Sequence, residues 1–264
     1  MAIRSDAGTD RIVAVHFLTR TFVWLLGASG IAWGAILLPL FWDQIPLDRM
    51  AAEILQGHRF KRQTLLVEAE RNAAAERTSV CNPTELHNAV ILDLSILNES
   101  LAAADQTLVT SDSGTLYEAS RRALACAPSD SFAWLVLFWL AVGQHGFEPH
   151  DAAYLRQSYA FGPNEEWIAL WRTRIAIALL PRLPADLSNL AIGEFVKLVE
   201  TGRLYKETAA IFGSAPPAVQ SQIIDYLKTA NETARQIFAR TLYDNGLDVD
   251  IPGTKIPGLR PWER

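Results

Sequence analysis

The sequence predicts an all-α protein: one N-terminal transmembrane helix, then a solenoid-like stack of helical hairpins, then an extended C-terminal tail. Three observations predict it. The run Thr21–Trp42 carries no charge between Arg20 and Asp43, and it has the roughly 20 residues that a helix needs to cross a bilayer. Behind it, turn residues recur about every 10–20 positions between runs with apolar residues at helical spacing. No run sustains the alternation of a strand. The chain therefore divides into a short cytoplasmic tail (1–20), the transmembrane helix (21–42), an extracytoplasmic helical domain (43–245) and a Pro/Gly-rich tail (246–264).

The first element rests on side-chain transfer energies. Phe22, Val23, Leu25, Leu26, Ile31, Ile36, Leu37, Leu38, Leu40 and Phe41 each favour insertion, for a total of roughly −3 to −6 kcal/mol. Trp24 and Trp42 lie near the ends, where indoles favour the headgroup region. Pro39 falls in the last turns, where a kink costs little. A cleavable signal peptide is the alternative, but its apolar core is normally about 7–15 residues and here apolar chain continues past Ala28-Ser29-Gly30. Arg4, Arg11 and Arg20 precede the run, whereas Asp43 and Asp48 follow it. Positive residues stay in the cytoplasm, so the N-terminus is expected inside and the domain outside. Gly27, Gly30 and Gly34 form a face of small residues on which a second helix could pack closely.

The 264 residues leave enough chain beyond the span for one helical domain with its own core. A net charge of −5 argues against a nucleic-acid partner. Cys81 and Cys126 are the two cysteines. Outside the cytoplasm they would meet oxidising surroundings, and closing the loop between them would stabilise the fold by about 4 kcal/mol. Two separate buried thiols are the alternative.

Taken in order, Ile45-Pro46 reads as a short break. Leu47 to Glu76 reads as helical, with Leu47, Met50, Ala51, Ile54 and Leu55 as a stripe and Gly57 as a bend. Asn82 caps and Pro83 opens a helix reaching about Leu108. Thr110–Gly114 reads as a turn before a helix Tyr117–Ala127 that Pro128 ends. The run Ser131–Gly143 is apolar almost all round, which places it between neighbours, and it is too short to span a bilayer. Further helices are expected at 150–161, 164–180, 185–201, 204–212, 217–230 and 232–245. The last stretch, with Pro252, Pro257 and Pro261, is extended. It is expected to lie across the stack, with Val249, Ile251 and Ile256 as anchors; a free tail is the alternative.

Two stretches of the chain repeat one another. Tyr117–Pro128 is followed by a polar cap and Trp134. Ala153–Pro163 is followed by Asn164, Glu165, Glu166 and Trp167. The two prolines stand about 35 positions apart, against about 34 in a tetratricopeptide repeat. With the small–aromatic–proline helix ends, the segment from about 115 to 180 resembles tetratricopeptide repeats. The Trp-x-x-Leu half of the signature is present at Trp134 and Leu137, but Phe138 stands where the pattern has Gly. The resemblance implies hairpins that each bury an apolar face only against the next. It also makes Trp134, Trp139, Trp167 and Trp171 repeat core or lining of a groove.

Chemistry is not written in the motifs. No nucleophile with a base, paired carboxylates, phosphate loop or metal-ligand spacing stands out, so neither a cofactor nor a metal is expected, and the chain does not read as an enzyme. His145 and His150, with Glu148 and Asp151, bracket a loop and read as polar loop residues, at most a weak metal site. Sequons at Asn98 and Asn231 fall in expected helices. The layout resembles single-span adaptors of the bacterial inner membrane that hold a protein partner beside a membrane complex, in polysaccharide export, secretion or envelope assembly. A membrane-anchored enzyme or accessory subunit without a recognisable motif, and a cytoplasm-facing scaffold with free thiols, are the alternatives.

Overall fold

The structure, a computed structural model, describes residues 7–76 and 81–255, with side chains at 17–36, 38, 45–73 and 81–255. Among these residues every regular element is a helix. The first, α1 (Ala7–Leu55), begins inside the segment read as a tail and continues through Pro46, where a break was expected. A proline within a helix removes one backbone bond and costs about 3 kcal/mol. Tertiary packing holds the continuation: Leu47 and Ala51 are buried, and Asn88 Nδ2 donates to Asp48 Oδ1 across 2.7 Å.

Among the described residues no helix is long and apolar enough to cross a membrane, so the transmembrane helix read at 21–42 is not supported on that ground. The side chains of Leu37 and of 39–44, the last part of that apolar run, lie outside the described residues. The described part of the run is solvent-exposed. Ile31 is 76% exposed and Trp33 66%, and a Cβ added at Gly27, Gly30 or Gly34 would meet nothing within 4 Å.

The expected helix 47–76 is interrupted. Gly57, at φ +90°, turns the chain, and α2 (Arg62–Glu76) starts afresh. Next come α3 (Pro83–Ala102) and α4 (Gln106–Cys126). Asn82 caps α3 by accepting from the Glu85 amide, and Asp105 caps α4 at Thr107 and Leu108. The turn read at Thr110–Gly114 is instead helix. Its cap-type residues are satisfied in other ways: the Thr110 and Thr115 hydroxyls donate to carbonyls four residues back, and Asp112 is claimed by Arg62 and Ser100.

The remainder is α5 (Ser131–His145), α6 (Ala152–Phe161), α7 (Glu166–Leu179), α8 (Ala185–Glu200), α9 (Tyr205–Ser214), α10 (Pro217–Leu227) and α11 (Glu232–Asp244), with 3-10 turns at Pro149–Asp151 and Leu180–Arg182. Successive helices pair as hairpins: α3 with α4, α5 with α6, α7 with α8. First helices stack on first helices, α3 on α5, α5 on α7 and α7 on α9. In the other layer α6 meets α8, and α8 meets α10. The fold is thus a helical repeat of two layers, and one continuous core runs from Ala51 of α1 to Ile251. Tail residues Leu247, Val249 and Ile251 pack on that core, and Arg235 donates to the Pro252 carbonyl. Ile256, Pro257 and Pro261 lie outside the described residues.

One charged residue sits at the centre of the stack. Arg172 of α7 is fully buried. All five of its donors are used: Nε and Nη2 on Glu194 of α8, Nη1 on the Ser158 carbonyl and hydroxyl, Nη2 on the Gly162 carbonyl. The guanidinium lies 4.3 Å from the centroid of the Tyr159 ring, and Thr173 donates to Glu194. Gly162 is required by close approach, because a Cβ there would lie 2.6 Å from Ser131 Cβ.

Replacing Arg172 with Ala leaves Glu194 buried and unpaired, which is expected to cost about 3–5 kcal/mol in denaturant unfolding. Gly162→Ala should cost about 1–3 kcal/mol through overpacking. Adding Ser131→Gly should restore part of that loss. A double variant no more stable than Gly162→Ala alone would contradict the steric account.

Candidate binding face

The face shared by α3, α5 and α7 carries an aromatic band, half-buried around the fully buried Phe132. On α7, Trp167 and Trp171 are four residues apart and so project from one side of the helix. Phe132 of α5 lies between them, with ring centroids 4.8 and 5.6 Å away. Trp139, two turns further along α5, meets Trp171 at 6.0 Å. At the other end the His87 ring of α3 stands edge-on to Trp167 at 6.2 Å. Trp134 is not part of the band: it stacks on Tyr154 of α6, and its indole N–H donates to the Pro128 carbonyl. Trp134 and Trp139 are five residues apart, which turns them about 140° from each other on a helix, so the spacing alone could have separated them.

Each end of the band opens into a pocket. Near Trp139 a cleft of about 410 Å³ lies between the α3–α4 hairpin and α5, with Leu97, Leu101, Val109 and Leu140 in its lining. Near His87 a smaller pocket of about 290 Å³ is lined by Thr84, Ser129, Asp130, Ser131 and Glu165 among others.

Two ties hold the His87 end. Cys81 and Cys126 form a disulfide, with Cα atoms 5.7 Å apart, that fastens the start of α3 to the end of α4. His87 Nδ1 lies 2.8 Å from Asp130 Oδ2, while Asp130 Oδ1 caps α5 by accepting from the Phe132 and Ala133 amides. Burial pushes the Asp130 carboxyl upward, but the His87 contact and the two amides outweigh it, so the group titrates below the usual carboxylate range. The Arg62–Asp112 pair repeats this balance where α2 meets α3 and α4. Burial raises Asp112; the Arg62 and Ser100 hydrogen bonds and the Arg62 charge lower it further.

Sequence reading missed His87 and Asp130 as a pair, because 43 residues separate them and only the α3–α5 contact joins them. Asp130 does carry a legible signal, an acid directly before an apolar helix. Gly27, Gly30 and Gly34 are remote from this face, on the projecting part of α1. Compared with protein-family models, curated proteins and solved structures, the chain finds no match.

The two carboxyls set an acid limit. Their folded values lie below the unfolded value of about 3.9, so their stabilisation is complete above that pH and is lost as pH falls through the folded value. Denaturation midpoints should hold steady from neutral pH down to about 5 and fall below about 4. Asp112→Asn should lower stability at pH 7 and flatten the acid slope. Separately, Cys81→Ser with Cys126→Ser should cost about 4 kcal/mol in the oxidised protein, read as the loss of any shift on adding reductant.

Proposed function

We propose that this chain is a membrane-anchored helical-repeat adaptor that holds a protein partner beside a membrane complex in a bacterial envelope process. The exposure of the described apolar residues of α1 carries the reading. Phe22, Trp24, Leu25, Ile31, Trp33 and Ile36 are all solvent-facing. An apolar surface of that kind marks a lipid or protein contact in a soluble chain's surroundings. The uncharged run Thr21–Trp42 and its flanking charges favour lipid, with the N-terminus in the cytoplasm and the domain in the periplasm. The Cys81–Cys126 disulfide agrees with an oxidising compartment. The open stripe Gly27, Gly30 and Gly34 suits a second helix within the bilayer.

Stacked hairpins support the adaptor half of the reading. Such repeats present an extended face on which one layer of helices is partly open. Here that face is the aromatic band of α5 and α7, with a pocket at each end. The repeat spacing of about 35 residues between Pro128 and Pro163 supports a tetratricopeptide-like layout.

Fractionation of cells expressing the full chain tests the anchor. The protein should sediment with membranes, resist alkaline carbonate and need detergent for release. Changing Leu25, Ile31 and Ile36 together to Lys should move it to the soluble fraction. Recovery of the unaltered chain in the supernatant without detergent would overturn the reading.

A further inference from the structure

We propose that the loop joining α5 to α6 is a binding site for a divalent transition-metal cation of the zinc class, held by His145, His150 and Asp151. This does not rest on the adaptor reading. The three residues each offer one ligand atom, and those atoms lie within 4.8 Å of one another. At metal–ligand bonds of about 2.0–2.2 Å, tetrahedral donors stand about 3.3–3.6 Å apart. His150 Nε2 and Asp151 Oδ1 are 3.3 Å apart.

The loop is built to hold this shape. His145 is the last residue of α5, and Gly146 follows at φ +80°, ψ 178°, a conformation essentially reserved for glycine. Phe147 then packs edge-on against Phe138 in the core at 6.3 Å. Glu148 and Asp151 close a reciprocal capping box around Pro149. These features return the chain so that the two imidazole centroids stand 6.0 Å apart.

Asp151 supplies the independent sign. Its side chain is wholly buried. Its Oδ2 accepts from the Glu148 amide, but its Oδ1 receives no hydrogen bond and points toward His150. A desolvated carboxylate oxygen without a donor is costly unless a cation meets it. The histidines are solvent-accessible, so a cation has a path in. Glu148 completes the arrangement. Its two oxygens lie 3.7 Å from His145 Nδ1 and 3.4 Å from His150 Nδ1. At these distances the carboxylate adds negative charge beside both imidazoles, which favours a bound cation. Two imidazoles and one carboxylate make a three-ligand set with a fourth position open to water or a partner's side chain. Mixed nitrogen and oxygen donors favour zinc and its neighbours over magnesium and calcium, which take oxygen ligands.

The test is titration of the metal-free full chain in detergent with ZnCl2, followed by calorimetry and thermal melting. We expect one equivalent bound at micromolar Kd or tighter, a raised Tm, and no response to MgCl2 or CaCl2 at the same concentration. His145→Ala and His150→Ala should each weaken binding at least tenfold with little change in the metal-free Tm, because both side chains are exposed. Asp151→Asn, which keeps an acceptor for the Glu148 amide, should weaken it similarly. His58→Ala, outside the site, should leave binding unchanged. Absence of zinc binding at a 100-fold excess of metal over protein, or binding that survives both histidine substitutions, would overturn the proposal.

Discussion

The buried guanidinium of Arg172 is the interaction on which the stack depends. It is the point where the α6 C-terminus, α7 and α8 are held at fixed separation, because one rigid fork satisfies a carboxylate, two carbonyls and a hydroxyl together. Taking that charge out of water is costly, and only full use of its donors offsets the cost. The network also explains the neighbouring glycine. The Gly162 carbonyl can approach Arg172 only while the backbone sits against Ser131, which leaves no room for a Cβ. Two hairpins thereby come into register: α5 through Ser131, and α7–α8 through Arg172 and Glu194.

Smaller polar clips repeat the device toward the N-terminus. Arg62 reaches Asp112, Ser100 and the Ile96 carbonyl, so α2 is seated on both helices of the first hairpin. His87 and Asp130 join the first hairpin to the second beside the disulfide. Each clip crosses between helices whose apolar faces are already buried. Hydrophobic burial is non-directional, so it brings the helices together without choosing their register. The charge-assisted bonds do have direction, and they set where α5 sits against α3. The position of α5 in turn places Phe132 and Trp139 against the tryptophans of α7, so the aromatic band follows from the polar ties.

The helices were legible because their signals are local. Asn82-Pro83 and Asp130 before an apolar run each cap a helix as the sequence implies. The errors have one cause. Pro46 and the Thr110–Gly114 cluster are local break signals, and tertiary contacts overrode both: Leu47 and Ala51 bury against α3, and Asp112 bonds to Arg62 instead of starting a helix. The aromatic band was only half legible. Trp167 and Trp171 share a face by spacing, but which helix they would meet depends on how α5 packs. The His145, His150 and Asp151 cluster was visible as residues and invisible as a site, since its geometry depends on Gly146 and on the Phe147 anchor.

By itself, the sequence determined the all-α class, most helix ends and the apolar character of the N-terminal segment, because propensity, capping and periodicity act within a few residues along the chain. The tertiary structure alone decided the pairing of His87 with Asp130, the burial of Arg172 and the closure of the α5–α6 loop. These depend on contacts between residues distant in the chain, whose distance and direction are fixed only once the layers have packed.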